Sequence, residues 1–202
     1  MPDPLISMIV VDIETSGVDP IKNSILSIGA VDFLDPSRQF YEECRVFEGA
    51  HISEESLKIN GYTKEGAGDS KKQTDKEIVE HFLAWALKSS DHTTAGQNPS
   101  FDRDFLKATV ERYHLNWPLT HRTIDLHSIC YFHMKRKGIE PPMEKNRSAL
   151  NLDAILVYVG MPEEGKPHVA INGAKLEAEV FSRLFYEKSL FPEYKNFKIP
   201  WI

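Results

Sequence analysis

The sequence predicts one α/β or α+β domain in which a sheet is covered by helices. Strand patterns fill the first part of the chain and mostly helical patterns follow, which is typical of this class. A length of 202 residues suits a single domain with one core. The composition is 41% hydrophobic and 27% charged, and eleven Phe, seven Tyr and three Trp argue against a disordered chain.

Three strands are predicted first, over residues 6–14, 24–33 and 39–47, because these segments are rich in β-branched and aromatic residues. Turn residues such as Asp19-Pro20 and Asp35-Pro36 separate them. The connections are short, so we expect the three strands to pair antiparallel.

Helices dominate the rest of the chain, with a polar loop at 62–75 and a short strand near 93–97. The predicted helices are 53–60, 76–88, 100–114, 122–137, 148–159 and 171–188. Residues 1–188 are expected to form the domain, and residues 189–202 a tail packed on it.

Charge, cysteines and hydropathy limit the class of protein. Thirty acids against 24 bases give a net charge of −6, which argues against nucleic-acid binding by bulk positive charge but not against an enzyme that meets phosphates through metal ions. Cys44 and Cys130 are too few for a disulfide framework. The first apolar stretch has no basic region before it, and no apolar run reaches membrane-spanning length, so a cytoplasmic protein without a membrane partner is expected.

Asp12 and Glu14 are the first candidate site residues. Side chains alternate along a strand, so both lie on the face of Val10, roughly 6.6 Å apart. Two neighbouring carboxylates repel each other, and Mg²⁺ or Mn²⁺ would relieve that repulsion. The alternative is a strand end that emerges into water.

Two later segments carry further candidates. Ser100 is expected to cap a helix, which places Asp102 in the first turn, where the helix dipole favours a negative charge. Asp104 is expected to face water. His168 precedes the last helix and is either structural or a proton acceptor beside a metal-bound water.

Together, these segments resemble the DEDD (DnaQ-like) 3′→5′ exonucleases, which have the RNase H-like fold. The matching motifs are VVDIETSG at 10–17, GQNPSFDRDFL at 96–106 and PHVAINGA at 167–174, with further likeness at 52–63 and 148–160. The histidine points to the DEDDh, RNase T-like branch. The resemblance implies a mixed sheet, its first three strands antiparallel, flanked by helices.

The resemblance also implies two-metal hydrolysis of phosphodiesters at the 3′ ends of single-stranded DNA or RNA. Asp12 would bridge two Mg²⁺ or Mn²⁺ ions, Glu14 would hold the ion that activates water, and Asp102 would serve the ion at the leaving oxygen. His168 would take the proton of the water. The backbone at Thr15, Ser16 and Gly17 would lie against the terminal nucleotide, and Phe101 would pack either there or in the core.

One position departs from the family. A fourth carboxylate is expected five residues after the histidine, but this position is Gly173. Either another acid replaces it, or the chain is a catalytically degenerate member that binds nucleic acid or a protein.

We predict Glu177 as the replacement. On a helical wheel that starts at Gly173, Glu177 falls at about 40°, inside the apolar stripe, whereas Glu179 falls at about 240°, on the side expected to face water. A carboxylate within an apolar stripe is costly unless it is paired or bound to a metal. The alternatives are that Glu177 pairs with a basic residue or that its side chain reaches out to solvent.

Three other patterns are weaker. Residues 160–167 mimic a phosphate-binding loop, but Pro167 replaces the required hydroxyl and two acids would repel phosphate. The zinc-like spacing of His127, Cys130 and His133 lacks a fourth ligand. A basic cluster is either a solvated face or a guide for a phosphate backbone; its members are Lys135, Arg136, Lys137, Lys145 and Arg147.

Overall fold

The computed structural model describes residues 6–202, which form a six-stranded mixed sheet with helices on both faces. The strand order is β4-β3-β2-β1-β5-β6. The strands are β1 (Ile9–Thr15), β2 (Ile25–Asp32), β3 (Gln39–Arg45), β4 (Gln73–Thr74), β5 (Thr94–Gly96) and β6 (Thr123–Asp125). β1, β2 and β3 pair antiparallel, whereas β5 and β6 run parallel to β1, which confirms the predicted fold class.

The helices are α1 (Glu54–Asn60), α2 (Lys64–Ala67), α3 (Asp75–Ala86), α4 (Pro99–Arg112), α5 (Leu126–Arg136), α6 (Leu152–Tyr158) and α7 (Ala170–Tyr186). A short hairpin of β7 (Met143–Glu144) and β8 (Arg147–Ser148) precedes α6, and a 3₁₀ turn (Pro192–Tyr194) lies near the end. No helix in residues 6–202 has the length and apolarity needed to cross a membrane.

Alternation along β1 divides the core into two layers. Ile9, Val11 and Ile13 pack with α3 and α4 on one face of the sheet. Val10 packs with α5, α6 and α7 on the other face. Asp12 and Glu14 share the face of Val10, so the sheet directs both carboxylates toward α7.

Some element boundaries differ from the predictions. The helix predicted at 122–137 begins with strand β6, which is too short to show an alternating pattern. The predicted loop at 62–75 contains α2 and β4. The prediction that Ser100 caps α4 is wrong: Asn98 is the N-cap residue with Pro99 after it, and the Ser100 hydroxyl donates to Asn98 Oδ1.

The end of the chain covers one face of α7. Arg183 donates to the carbonyl oxygens of Tyr194 and Phe197, and Glu179 accepts from the backbone N–H groups of Leu190 and Phe191. The prediction that Glu179 faces water is therefore wrong, because residues beyond the helix exclude water from it. The division of the chain at residue 188 stays a prediction, and residues 1–5 of the predicted domain lie outside the described residues.

Candidate active site

An open cleft lies at the carboxyl ends of β1 and β5. Seven of the predicted site residues line it: Asp12, Glu14, Thr15, Gly17, Phe101, His168 and Glu177. Asp102 lies beneath this surface and is buried. Parallel strands end at the same edge of a sheet, so residues after β5 meet those of β1 here.

Asp12 and Glu14 are held in an environment that disfavours their charge. Burial raises the pKa of Asp12 well above its usual range, and the nearby Glu177, Asp102, Glu14 and Glu164 raise it further. Burial, with Glu164 and Asp102, raises the pKa of Glu14 to about 8. The predicted crowding of carboxylates is therefore present at the end of β1.

Asp102 joins helix α4 to strand β1. Its Oδ1 accepts a hydrogen bond from the backbone N–H of Ile13 at 3.1 Å. Burial raises the pKa of Asp102 to about 7, although this hydrogen bond acts in the opposite direction. The contact fixes the first turn of α4 against the residue between Asp12 and Glu14.

Glu177 reaches the same cluster from the middle of α7. Its Oε1 accepts from the backbone N–H of Gln97 at 3.1 Å. Its Oε2 is buried and has no hydrogen-bond partner among the described residues. Burial raises the pKa of Glu177 well above its usual range, and Asp102, Glu164 and Asp125 add to the effect.

His168 stands at the rim, just before α7. Its backbone N–H donates to the carbonyl oxygen of Ile59 at 3.2 Å, which ties it to the end of α1. Its Nε2 lies 3.9 Å from Glu164 Oε2. The imidazole is half-buried and opens into the cleft, as a proton acceptor must.

Glu164 is a cleft residue that the sequence analysis missed. It belongs to the segment 160–167, where acids argued against phosphate binding. An acid that repels phosphate can attract a cation. This property of the segment could have indicated from the sequence that Glu164 belongs to the cleft. Its backbone N–H donates to Asp153 Oδ1 at 2.9 Å, which anchors the segment to α6.

The segment 15–17 has two roles. Thr15 and Gly17 line the cleft, and the Thr15 hydroxyl donates to the Gly17 carbonyl oxygen at 2.6 Å. Ser16 is buried instead: its N–H donates to the Ser24 carbonyl oxygen and its hydroxyl to that of His51. Ser16 therefore fixes the turn that presents Thr15 and Gly17. Phe101 lines the cleft and also packs on Phe105, with ring centroids 4.9 Å apart.

The donor set fits hard divalent cations. Within residues 6–202, no three His, Cys, Asp or Glu side chains already surround one point where an ion would sit. Buried carboxylates with raised pKa values and an unpartnered Glu177 oxygen nevertheless form a site that a cation would stabilise. The zinc alternative gains no support, because His127 contacts Ser148 Oγ and His133 contacts Tyr158 Oη.

Comparison with known proteins agrees with this fold. Residues 9–181 match the RNase_T model, described as an exonuclease, and the chain belongs to this exonuclease family. This result confirms the resemblance to the DEDDh exonucleases.

Two curated relatives show how far the likeness extends. The PolC-type DNA polymerase III of Thermotoga petrophila is 25% identical over 178 residues, 88% of this chain and 12% of the polymerase. Ribonuclease T of Haemophilus influenzae strain PittEE is 35% identical over 116 residues, 52% of this chain and 51% of that enzyme. The chain thus matches only part of the length of each.

Solved structures share the fold at low identity. The nuclease domain of 3′hExo, a DEDDh family member bound to rAMP, has a TM-score of 0.70 and 15% identity, covering 93% of this chain and 95% of that one. Escherichia coli exonuclease I in complex with an oligonucleotide has a TM-score of 0.68 and 15% identity, covering 91% and 42%.

The raised pKa values predict how stability depends on pH without metal. Burial raises the pKa of Glu14 from its ordinary 4.5 to about 8 and that of Asp102 from its ordinary 3.8 to about 7. The folded chain therefore binds more protons than the unfolded chain in this window, and the free energy of unfolding falls as the pH rises from about 4 to about 8. Thermal melts in EDTA should show a declining Tm. A flat or rising Tm would contradict these protonation states.

Proposed function

We propose that the chain is a metal-dependent exonuclease that removes nucleotides from the 3′ ends of single-stranded DNA or RNA. The observation that carries the proposal is the meeting of Asp12, Glu14 and Asp102 with His168 at one open cleft, in a chain of the exonuclease family. The relatives whose structures contain rAMP or an oligonucleotide support a nucleic-acid substrate.

The positions of the residues suggest their roles. When bound, a pair of Mg²⁺ or Mn²⁺ ions activates water and stabilises the leaving oxygen. Asp12 lies among the other acids and would contact both ions, whereas Glu14, near Glu164, would hold the one on the His168 side. Asp102 would support the other ion, directly or through water.

His168 would accept the proton of the attacking water. It stands at the rim, where solvent enters, and Glu164 is placed to stabilise the imidazolium that forms. Thr15, Gly17 and Phe101, which all line the cleft, would position the terminal nucleotide.

A catalytically degenerate binding module is the second candidate, and Gly173 favours it. The acids argue against it, because burying several carboxylates together destabilises the folded chain at neutral pH and a bound cation would offset that cost. A module that no longer cuts has no use for such a cluster.

An assay on labelled oligonucleotides separates the two. DNA and RNA carrying a 5′ label, incubated with Mg²⁺ or Mn²⁺, should shorten progressively from the 3′ end, and EDTA should stop the reaction. A 3′-phosphate end serves as the polarity control. Tight binding without shortening in either metal would establish the binding module instead.

The hairpin β7–β8 offers a path for the substrate beyond the cleft. Lys145 and Asn146 have φ values of 49° and 62°, which form a tight two-residue turn that exposes Lys145 and Arg147. The Gln97 side chain donates to the Leu150 carbonyl oxygen at 3.2 Å, and Leu152 lines the cleft, so the hairpin ends beside the site.

Reversing both hairpin charges should weaken binding of long oligonucleotides. Each phosphate contact on a single strand contributes about 0.7 to the salt dependence, so Lys145→Glu with Arg147→Glu should reduce the slope of log affinity against log salt by about 1.4. Fluorescence anisotropy on an Asp12→Asn background keeps the oligonucleotide intact. Lys195→Glu with Lys198→Glu, in the tail, is the matched control. Equal slopes for both pairs would show that the hairpin is a solvated face.

A further inference from the structure

We infer that Glu177 supplies the fourth carboxylate of the metal site, from one helical turn beyond the position where the family places it. The inference rests on the proposed function and adds a ligand that the family pattern does not contain. Four observations support it: the space at Gly173, the space at Gly96, the burial of Glu177 without a basic partner and the contrast with Glu179.

Position 173 lies directly against the Asp12 carboxylate. A Cβ atom there would lie 2.1 Å from Asp12 Oδ2 and 2.9 Å from Asp12 Cγ. The Asp12 carboxylate therefore fills the space that a side chain on this turn of α7 would occupy. Gly29, opposite Asp12 in the sheet, admits the helix, since its Cβ would lie 2.2 Å from the Ala170 carbonyl carbon.

A second glycine makes room for Glu177. A Cβ atom at Gly96 would lie 3.0 Å from Glu177 Oε2 and 2.9 Å from the Val11 carbonyl oxygen. The end of β5 thus leaves the Glu177 carboxylate a place beside β1. Glutamate has one methylene more than aspartate, which suits the reach from the next turn.

No basic side chain explains the burial of Glu177. It is 3% exposed, it forms no salt bridge within residues 6–202, and its Oε2 has no donor there. The charged groups that act on it are the acids Asp102, Glu164 and Asp125. The alternatives of pairing with a basic residue and of reaching solvent therefore fail, and a cation is the missing partner.

Glu179, two residues after Glu177 on the same helix, is a buried acid with a purely structural environment. It is also fully buried, but its Oε1 accepts from Arg183 Nε at 2.7 Å and its Oε2 from two backbone N–H groups. Both oxygens are satisfied within the protein. Glu179 is therefore the matched control for Glu177: the same residue type, the same helix and similar burial.

The test compares Glu177→Gln with Glu179→Gln by calorimetric Mn²⁺ titration and by thermal melts. Glu177→Gln should raise the Tm in EDTA and weaken Mn²⁺ binding by about tenfold or more, since altering groups around a metal costs 10–100-fold even in the outer shell. Glu179→Gln should lower the Tm and leave Mn²⁺ affinity unchanged. Unchanged affinity in Glu177→Gln would overturn the inference.

Two further variants sharpen the result. Glu164→Gln tests the other acid of the cleft: if it loses Mn²⁺ affinity while Glu177→Gln does not, the fourth ligand is Glu164. Gly173→Asp should weaken Mn²⁺ binding because it displaces Asp12, and a gain in affinity would contradict the inference. If wild-type protein and Asp12→Asn bind Mn²⁺ equally, the proposed function itself fails, whereas loss in Asp12→Asn alone rejects only the role of Glu177.

Discussion

Asp12→Asn should abolish exonuclease activity while making the metal-free protein more stable. Asp12 lies among Glu14, Asp102, Glu164 and Glu177, so it is the carboxylate that most of the others repel and the one proposed to contact both ions. Loss of an ion removes several kcal/mol of transition-state stabilisation, which corresponds to roughly 10³-fold or more in rate.

Asp12→Asn should stabilise the protein although it abolishes activity, because the metal-free protein has no cation to offset the crowded acids. Without metal, an amide at position 12 removes one buried acid and the repulsion around it. We expect the Tm in EDTA to rise by roughly 2–4 °C for each kcal/mol relieved, and the increase in Tm on adding Mn²⁺ to shrink.

Asp104→Asn is the control for this substitution. Asp104 lies on the same helix as Asp102 but is exposed and pairs with Arg103 at 2.8 Å. Its removal should change neither the rate nor the response to Mn²⁺, because exposed ion pairs contribute little. Cleavage by Asp12→Asn at the wild-type rate would rule out the two-metal mechanism.

Local periodicity was sufficient to predict much of the site. Alternation placed Asp12 and Glu14 on the face of Val10, and the helical period placed Glu177 among apolar residues of α7. Asp104 is exposed, as predicted. These predictions succeeded because each depends on one element whose period is fixed by its backbone geometry.

Features that depend on two distant segments were not predictable in this way. Glu179 and Arg183 are buried because the chain end folds over α7, and no periodic pattern records that contact. Glu164 enters the cleft through the tie of its backbone to Asp153. The space at Gly173 that the Asp12 carboxylate occupies depends on how closely α7 approaches β1 and β2, and this distance is set by tertiary packing.

His168→Ala should reduce the rate by roughly 10²–10⁴-fold, the usual contribution of a general base, while leaving Mn²⁺ affinity unchanged. The imidazole is half-buried in the cleft and lies beside Glu164, and its proposed role is to accept a proton and not to hold the ion. Added imidazole should restore part of the rate.

His133→Ala is the control, because His133 contacts Tyr158 Oη at 2.8 Å away from the cleft and its loss should lower the Tm without changing the rate. A wild-type rate in His168→Ala would make His168 a structural residue and leave the attacking water without a base from this side of the cleft.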